Sequence, residues 1–147
     1  MKRLILFAGI ALLAACTNSQ EQKSMLAGKW KYDGPAITKA YAENNPTPEQ
    51  QVSVERFVTL YQNDAFIFRE DGSMGITSAQ GSTLKGTWDV TSDGNTLVMN
   101  LGSEELRHSI TKLTEEQLIL APDTSRRIHQ FARILKKVAP ADTTATQ

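Results

Sequence analysis

The sequence predicts an all-β domain of eight antiparallel strands, a barrel or a sandwich, with a helical insertion after the first strand. From residue 63 onward, short runs of alternating apolar and polar residues are separated by turn signals at intervals typical of these folds. Between the first run and the second, the apolar spacing changes to that of helices. The domain is expected over residues 25–138, which is enough for one modest core.

The strand pattern is clearest in two segments. Asp71-Gly72 lies between two apolar runs and is a strong signal for a two-residue hairpin turn. Residues 82–91 alternate between an apolar face, which contains Trp88 and Val90, and a polar face. The predicted strands are residues 27–32, 65–70, 73–79, 82–91, 96–101, 105–113, 117–121 and 126–137.

The predicted helix covers residues 48–62. Thr47 has the position of an N-cap, Pro48 is the first helical residue, and Gln50 completes a capping box. An apolar stripe follows at helical spacing, formed by Val54, Phe57, Val58 and Tyr61. A weaker stripe at residues 36–41 predicts a short helix before it.

The N-terminal residues 1–15 predict a signal peptide. Lys2 and Arg3 precede an uncharged run over residues 4–15, which is too short to span a bilayer. The run ends in Leu13-Ala14-Ala15-Cys16, which resembles the lipobox of bacterial lipoproteins. That resemblance implies cleavage before Cys16 and acylation of Cys16, and several acyl chains give stable anchoring. The alternative is an ordinary secretory signal that happens to precede a cysteine.

Composition narrows the class of protein. Cys16 is the only cysteine, so the sequence offers no disulfide and no other thiolate. After removal of residues 1–15 the chain carries 14 basic and 16 acidic residues, a net charge of −2 with histidine neutral. This balance gives no reason to expect a nucleic-acid partner. Residues 17–24 are polar and predict a tether (16–24 with the lipidated cysteine), and residues 139–147 predict a disordered tail.

Two short motifs carry a family resemblance. Gly28-Lys29-Trp30 resembles the G-x-W motif of the first lipocalin strand, and Gly86-Thr87-Trp88 resembles a segment of the lipocalin-like domains in Bacteroidota lipoproteins. The hairpin over residues 66–72 is similar to that group as well. The resemblance implies an eight-stranded lipocalin-like barrel, while the helical insertion is similar to that of fatty-acid-binding proteins. It also implies an arginine near Trp30, for which Arg133 is the first candidate and Arg127 the second.

Several inward-facing side chains are candidates for contact with a small ligand. His108 shares a face with apolar neighbours and would offer a polar contact to a ligand head group, although a solvated or structural histidine is the more common case for such a pattern. The apolar candidates have the composition of a core as well as that of a cavity wall. They are Trp88, Phe66, Phe68, Met74 and Met99. Trp30, Gly28 and Gly86 are expected to serve packing, because glycine lets neighbouring groups approach closely.

The sequence favours binding over catalysis. It contains no nucleophile elbow, no zincin motif and no phosphate-binding loop, and its two histidines, His108 and His129, do not form a metal motif. We therefore expect no enzyme, no cofactor and no metal. The expected function is binding of a small apolar or amphipathic ligand by an envelope lipoprotein, anchored in the outer membrane. The alternative is a filled barrel that contacts another envelope protein.

The lipid anchor gives a first test. Cys16→Ala removes the thiol that would be acylated, so the variant should carry no lipid and should leave the membrane fraction for the soluble one. Membrane fractionation followed by mass spectrometry of the N-terminal peptide measures both effects. Unchanged membrane association of the variant would show that Cys16 is not the anchor.

Overall fold

The computed structural model describes residues 11–123, 125 and 130–139. Within these residues, three helices accompany eight strands that close into an antiparallel barrel, with each strand next to its neighbours in sequence. The helices are α1 (Ala11–Leu26), α2 (Gly34–Ala42) and α3 (Pro48–Tyr61). The strands are β1 (Gly28–Tyr32), β2 (Ala65–Phe68), β3 (Ser73–Thr77), β4 (Thr83–Val90), β5 (Thr96–Leu101), β6 (Glu104–Leu113), β7 (Gln117–Leu120) and β8 (Arg133–Val138). The predicted antiparallel eight-stranded barrel with its helical insertion is confirmed.

The helical insertion begins as the sequence indicates. Thr47 Oγ1 accepts a hydrogen bond from the backbone N–H of Gln50 at 3.3 Å, and Gln50 Oε1 accepts one from Thr47 N–H at 2.8 Å. This capping box satisfies two of the N–H groups that a helix start leaves open. In α2, Asp33 takes the cap position and accepts from Ala36 N–H at 3.2 Å. The weaker helical pattern is therefore a real helix.

Closure of the barrel depends on β1, which pairs with both β2 and β8. In this register Trp30 lies opposite Phe66 on one side and opposite Lys137 on the other. All backbone edges of the sheet are thereby paired, which removes the exposed edge strands of an open sheet. A shift between Ile110 and Lys112 interrupts the β6–β7 pairing, as a β-bulge does.

The two ends of the barrel differ. At the end where β1 finishes and β2 begins, α2 and α3 connect the strands, and we call it the helical end. At the opposite end α1 leads into β1, and its last residue, Leu26, is completely buried in the core. We call this the closed end. The β2–β3 and β4–β5 turns also lie at the closed end, because β1, β3 and β5 begin there.

The helical conformation of α1 was not predicted. Residues 17–24 are polar and lack an apolar stripe, so the sequence predicts a tether, yet they continue α1 down to Leu26. Contacts with the barrel explain the difference: Lys23 Nζ lies 2.7 Å from Asp89 Oδ1, and Leu26 packs into the core. Tertiary contacts of this kind stabilise helices whose own sequence pattern is weak.

Two further expectations need correction. The last strand begins at Arg133 and not at residue 126; residues 126–129, including Arg127 and His129, lie outside the described residues. Before β8, Phe131 is buried against the helices, with its ring centroid 4.8 Å from that of Phe57. The alternation over residues 82–91 also predicts that Leu84 faces inward with Trp88 and Val90, but Leu84, near the start of β4, is 51% exposed.

Gly86 allows β4 and β5 to approach each other, and this gives a stability test. A Cβ at Gly86 would overlap the carbonyl oxygen of Asn100, which is backbone and cannot move aside. Gly86→Ala should therefore lower the free energy of unfolding by about 3 kcal/mol or more. Urea denaturation of the purified domain measures the change.

Gly75→Ala on the adjacent strand β3 is the matched control. Its Cβ would lie 3.7 Å from Thr83 Cγ2, which is ordinary van der Waals contact. The control should stay within about 1 kcal/mol of the wild type. Equal losses in both variants would mean that the Gly86–Asn100 approach does not limit stability.

Candidate functional site

The barrel encloses a cavity of about 190 Å³. Its wall is largely apolar and comes from most of the strands together with α3. The apolar lining residues are Phe57, Phe66, Phe68, Ile76, Leu97, Met99, Leu106, Leu118, Leu120 and Leu135, and the polar ones are Tyr32, Tyr61, Asp64, His108 and Arg133. Five of these fifteen side chains carry a phenyl or phenol ring, so aromatic groups form a third of the lining.

The mouth of the cavity lies at the helical end. Tyr61 and Asp64, at and just after the end of α3, line the cavity and are half-buried. Ile76 and Leu106, near the same ends of β3 and β6, are half-buried as well. By contrast, lining residues such as Leu118 are completely buried. Solvent therefore reaches the cavity past the C-terminal end of α3.

Arg133 and His108 form a buried polar pair in the cavity wall. Arg133 is 2% exposed and His108 is 3% exposed. Arg133 Nη2 lies 3.0 Å from His108 Nδ1, and it also donates to the backbone oxygen of Ala121 at 3.4 Å. Because arginine can only donate, Nδ1 acts as the acceptor, and the histidine is neutral with its proton on Nε2. The positive charge of the pair is therefore carried by the guanidinium.

Tyr32 adds a hydroxyl group to this pair. Burial raises the pKa of the Tyr32 phenol to about 12; Arg133 opposes the rise through its charge and a hydrogen bond, while the negative charge of Asp64 adds to it. The phenol is thus neutral at physiological pH and keeps its proton. Tyr32, His108 and Arg133 together give the apolar cavity a cationic, hydrogen-bonding corner.

The structure divides the predicted ligand contacts into two groups. Phe66, Phe68, Met99 and His108 line the cavity. Trp88 and Met74 are buried but are not among its lining residues. They lie toward the closed end, near the end of β4 and the start of β3 respectively. For these two residues the core interpretation fits the structure, and the cavity-wall interpretation does not.

Trp88 is held by two contacts in the core. Its Nε1 donates to the backbone oxygen of Arg69 at 2.9 Å, and its ring centroid lies 5.2 Å from that of Phe68. Alternation correctly placed Trp88 on the inner face, but alternation alone does not tell the height of a residue along the barrel. That height depends on strand register and shear.

The cation near Trp30 is Lys137, which corrects the assignment of Arg133. Lys137 Nζ lies 5.3 Å from the centroid of the Trp30 ring and donates to the backbone oxygen of Met25 at 2.7 Å. Arg133 lies four residues earlier in β8, where its guanidinium reaches His108. Trp30 Nε1 donates to the backbone oxygen of Leu26 at 2.7 Å. Gly28 leaves room for the lysine, since a Cβ there would lie 2.8 Å from Lys137 Cε.

Sequence reasoning did not identify Arg133 or Tyr32 as cavity residues. The available signal was the alternation of Arg133 with Leu135, which puts a charged residue on an inward face. Phe57 and Tyr61 were identified as a helical stripe, but the sequence does not show that this stripe covers a barrel. Among the described residues, no group of three or more histidine, cysteine, aspartate or glutamate side chains could hold a metal ion.

Comparisons with known proteins concern the fold. No protein-family model and no curated protein matches the chain. A solved DUF4847 family protein from Bacteroides vulgatus is 14% identical, with a TM-score of 0.47 over 80% of this chain and 96% of that chain. A solved lipocalin-like protein from Bacteroides uniformis is 16% identical, with a TM-score of 0.48 over 78% of this chain and 99% of that chain. At these values neither likeness bears on function.

The class of protein is defined here by its fold and its cavity. The strands form an up-and-down antiparallel barrel, the architecture of lipocalins, with a helix pair over one end and a cavity beneath it. Within the part of the chain that the structure describes, no helix combines the length and apolar character needed to cross a membrane.

The raised pKa of Tyr32 predicts a change of stability at alkaline pH. The phenol ionises near pH 10 in the unfolded chain and at about 12 in the folded one, so its contribution is complete below pH 10 and is lost as pH rises to 12. Between pH 8 and 11 the wild type should lose about 1.4 kcal/mol more than Tyr32→Phe does. Urea denaturation at both pH values measures the difference.

Tyr41→Phe is the control for this experiment. Tyr41 is a half-buried residue of α2 outside the cavity wall, so its variant should keep the pH dependence of the wild type. If Tyr32→Phe loses as much stability as the wild type between the two pH values, the phenol of Tyr32 is not held in its neutral form by the fold.

Proposed function

We propose that this chain is a non-enzymatic binding protein of the bacterial cell envelope whose barrel holds one small carboxylate with an aromatic or short aliphatic body. The observation that supports it is the guanidinium of Arg133, which is 2% exposed and lines an otherwise largely apolar cavity. The Leu13-Ala14-Ala15-Cys16 motif supports a lipid anchor, and we place the protein at the outer membrane.

The size of the cavity limits the ligand. Its volume of about 190 Å³ is below the roughly 300 Å³ at which pockets for drug-sized ligands begin. It exceeds the roughly 150 Å³ of an apolar protein cavity that binds benzene. A molecule of about the size of benzoate or hexanoate fits this range, whereas a long-chain lipid does not.

The charge of the cavity selects the head group. A guanidinium presents donors in a planar fork that matches a carboxylate, and such pairs are stronger when water is excluded. The neutral Tyr32 phenol supplies a further donor within the same corner, because burial keeps its pKa at about 12. A neutral or cationic head group would not form this charge-assisted, bidentate pair with the guanidinium.

The carboxylate of Asp64 has a separate role at the mouth. It accepts a hydrogen bond from Ala79 N–H at 3.1 Å, which ties the start of β2 to the β3–β4 turn. In the proposed complex the head group contacts Arg133, at the start of β8, and the apolar body lies against the phenylalanine side chains of the cavity wall.

A second candidate function is that of a module that binds another envelope protein. It is favoured by the outer face of α3, where Val52 is 62% exposed and Leu60 is 53% exposed. Isolated exposed apolar residues are common on proteins, so this observation weighs less than a buried cation in a cavity. The two functions give different results in the following experiment.

The experiment titrates the mature domain with benzoate and, separately, with benzyl alcohol, and follows the backbone amide signals by NMR. For about nine non-hydrogen atoms we expect a Kd between roughly 10 µM and 1 mM for benzoate. Arg133→Met should weaken benzoate binding at least about tenfold while benzyl alcohol binding changes little, because only the carboxylate interacts with the guanidinium.

Arg107→Met on β6 is the matched control, since its side chain is 59% exposed and lies outside the cavity wall. It should bind both probes as the wild type does. If Arg133→Met binds benzoate and benzyl alcohol as tightly as the wild type does, the cavity binds apolar molecules without selecting a carboxylate. The proposed head group would then be wrong. No saturable binding of either probe to the wild type would favour the protein-binding module.

A further inference from the structure

The C-terminal part of α1 is fixed to the closed end of the barrel by several independent contacts. Lys23 forms an ion pair with Asp89 of β4 at 2.7 Å, and this partner holds the pKa of the Asp89 carboxyl below its usual value. Leu26 is completely buried, and its backbone oxygen accepts from Trp30 Nε1 at 2.7 Å. An exposed ion pair alone contributes little, so the buried leucine and its hydrogen bond matter most.

Two more contacts involve the turns and the last strand. Gln22 lies directly over Gly94 in the β4–β5 turn, where a Cβ would be 2.7 Å from Gln22 Nε2. Gly94 is buried, and its φ of +75° is one that glycine adopts readily. Met25 provides the backbone oxygen that Lys137 Nζ of β8 contacts at 2.7 Å. The end of α1 therefore contacts β4, the β4–β5 turn and β8.

These contacts give the direction of α1. Leu26 is next to the start of β1, whereas Gln22 and Lys23 reach β4 and the turn after it, three strands away around the barrel. The last turns of the helix therefore cross the closed end. Between α1 and β1 there is a single residue, Ala27, whose N–H donates to the backbone oxygen of Lys23 at 2.9 Å. No flexible joint separates the helix from the barrel within these residues.

The position of Cys16 follows from this arrangement. Cys16 precedes Gln22 by six residues of the same helix, which corresponds to about 9 Å. The predicted lipid-bearing terminus is thus placed on the side of the closed end. The cavity mouth is at the helical end, separated from it by the length of the strands, which is roughly 25 Å for the eight residues of β4.

We propose that α1 is rigidly docked on the barrel and thereby orients the closed end toward the anchoring bilayer and the cavity mouth away from it. This inference rests on the proposed lipid anchor and specifies the source of the proposed ligand. The mouth opens to the aqueous compartment, so the carboxylate is captured from solution and is not extracted from the membrane that holds the protein.

The test uses the acylated full-length mature protein in vesicles whose lipid head groups carry a fluorescence quencher. A fluorophore is attached to a new cysteine either at Ser92, in the turn at the closed end, or at Gln80, in the β3–β4 turn at the helical end; both positions are exposed. Quenching at Ser92→Cys should exceed that at Gln80→Cys by about threefold or more, since the turns are separated by roughly the length of β4.

A flexible variant provides the control. Insertion of a Gly/Ser segment of about eight residues after Thr17 separates the lipid from the docked part of α1, so the two quenching values should become similar. Equal quenching at both positions in the unmodified, acylated protein would overturn the inference. Stronger quenching at Gln80→Cys would reverse it and point to a ligand from the bilayer.

The failure of the anchor is detected separately. Mass spectrometry of the N-terminal peptide shows whether Cys16 is acylated, and a peptide without acyl groups overturns both the anchor and this inference. The benzoate titration uses the domain in solution and gives its result independently of either. A failed binding test therefore does not imply a failed orientation test.

Discussion

The pairing of β1 with both β2 and β8 is the constraint on which the rest of the structure depends. It joins the first and last strands of the domain, so the sheet closes and every strand has two neighbours. Trp30 lies at this junction, is completely buried, and is contacted by a residue of β8 and by the end of α1. Because β1 and β8 are distant in sequence, their pairing is a long-range contact. The core is complete only once the barrel has closed.

The different ends of the barrel follow from how the chain enters and leaves β1. On entry, α1 lies across the barrel and brings Leu26 into the core, which fills that end. On exit, α2 and α3 cover the other end less completely, since Tyr61 is half-buried at the cavity mouth. One strand with a helix on either side therefore produces both a closed base and an accessible cavity.

The sequence predicts the strands and the insertion well because their signals are local. Asp71-Gly72, the capping box at Thr47 and the alternation around Trp88 each depend on neighbouring residues alone. The site is predicted less well, because its members meet through barrel closure and shear. Arg133 was assigned to Trp30 by resemblance, whereas register gives that position to Lys137. Likewise, α1 has no pattern of its own and is stabilised by contacts that only the folded barrel provides.

Residue 133 is a buried charged residue in a cavity wall that is otherwise largely apolar. Burial of a charged group is costly, and replacement of buried ionic groups by apolar residues of similar volume is often neutral or stabilising. Here the hydrogen bonds to His108 and Ala121 and the hydroxyl of Tyr32 offset part of that cost. A leucine at this position would continue the apolar lining formed by Leu118, Leu120 and Leu135 without any such network. Arg133 therefore gives the cavity wall a positive charge that a leucine at the same position would not give.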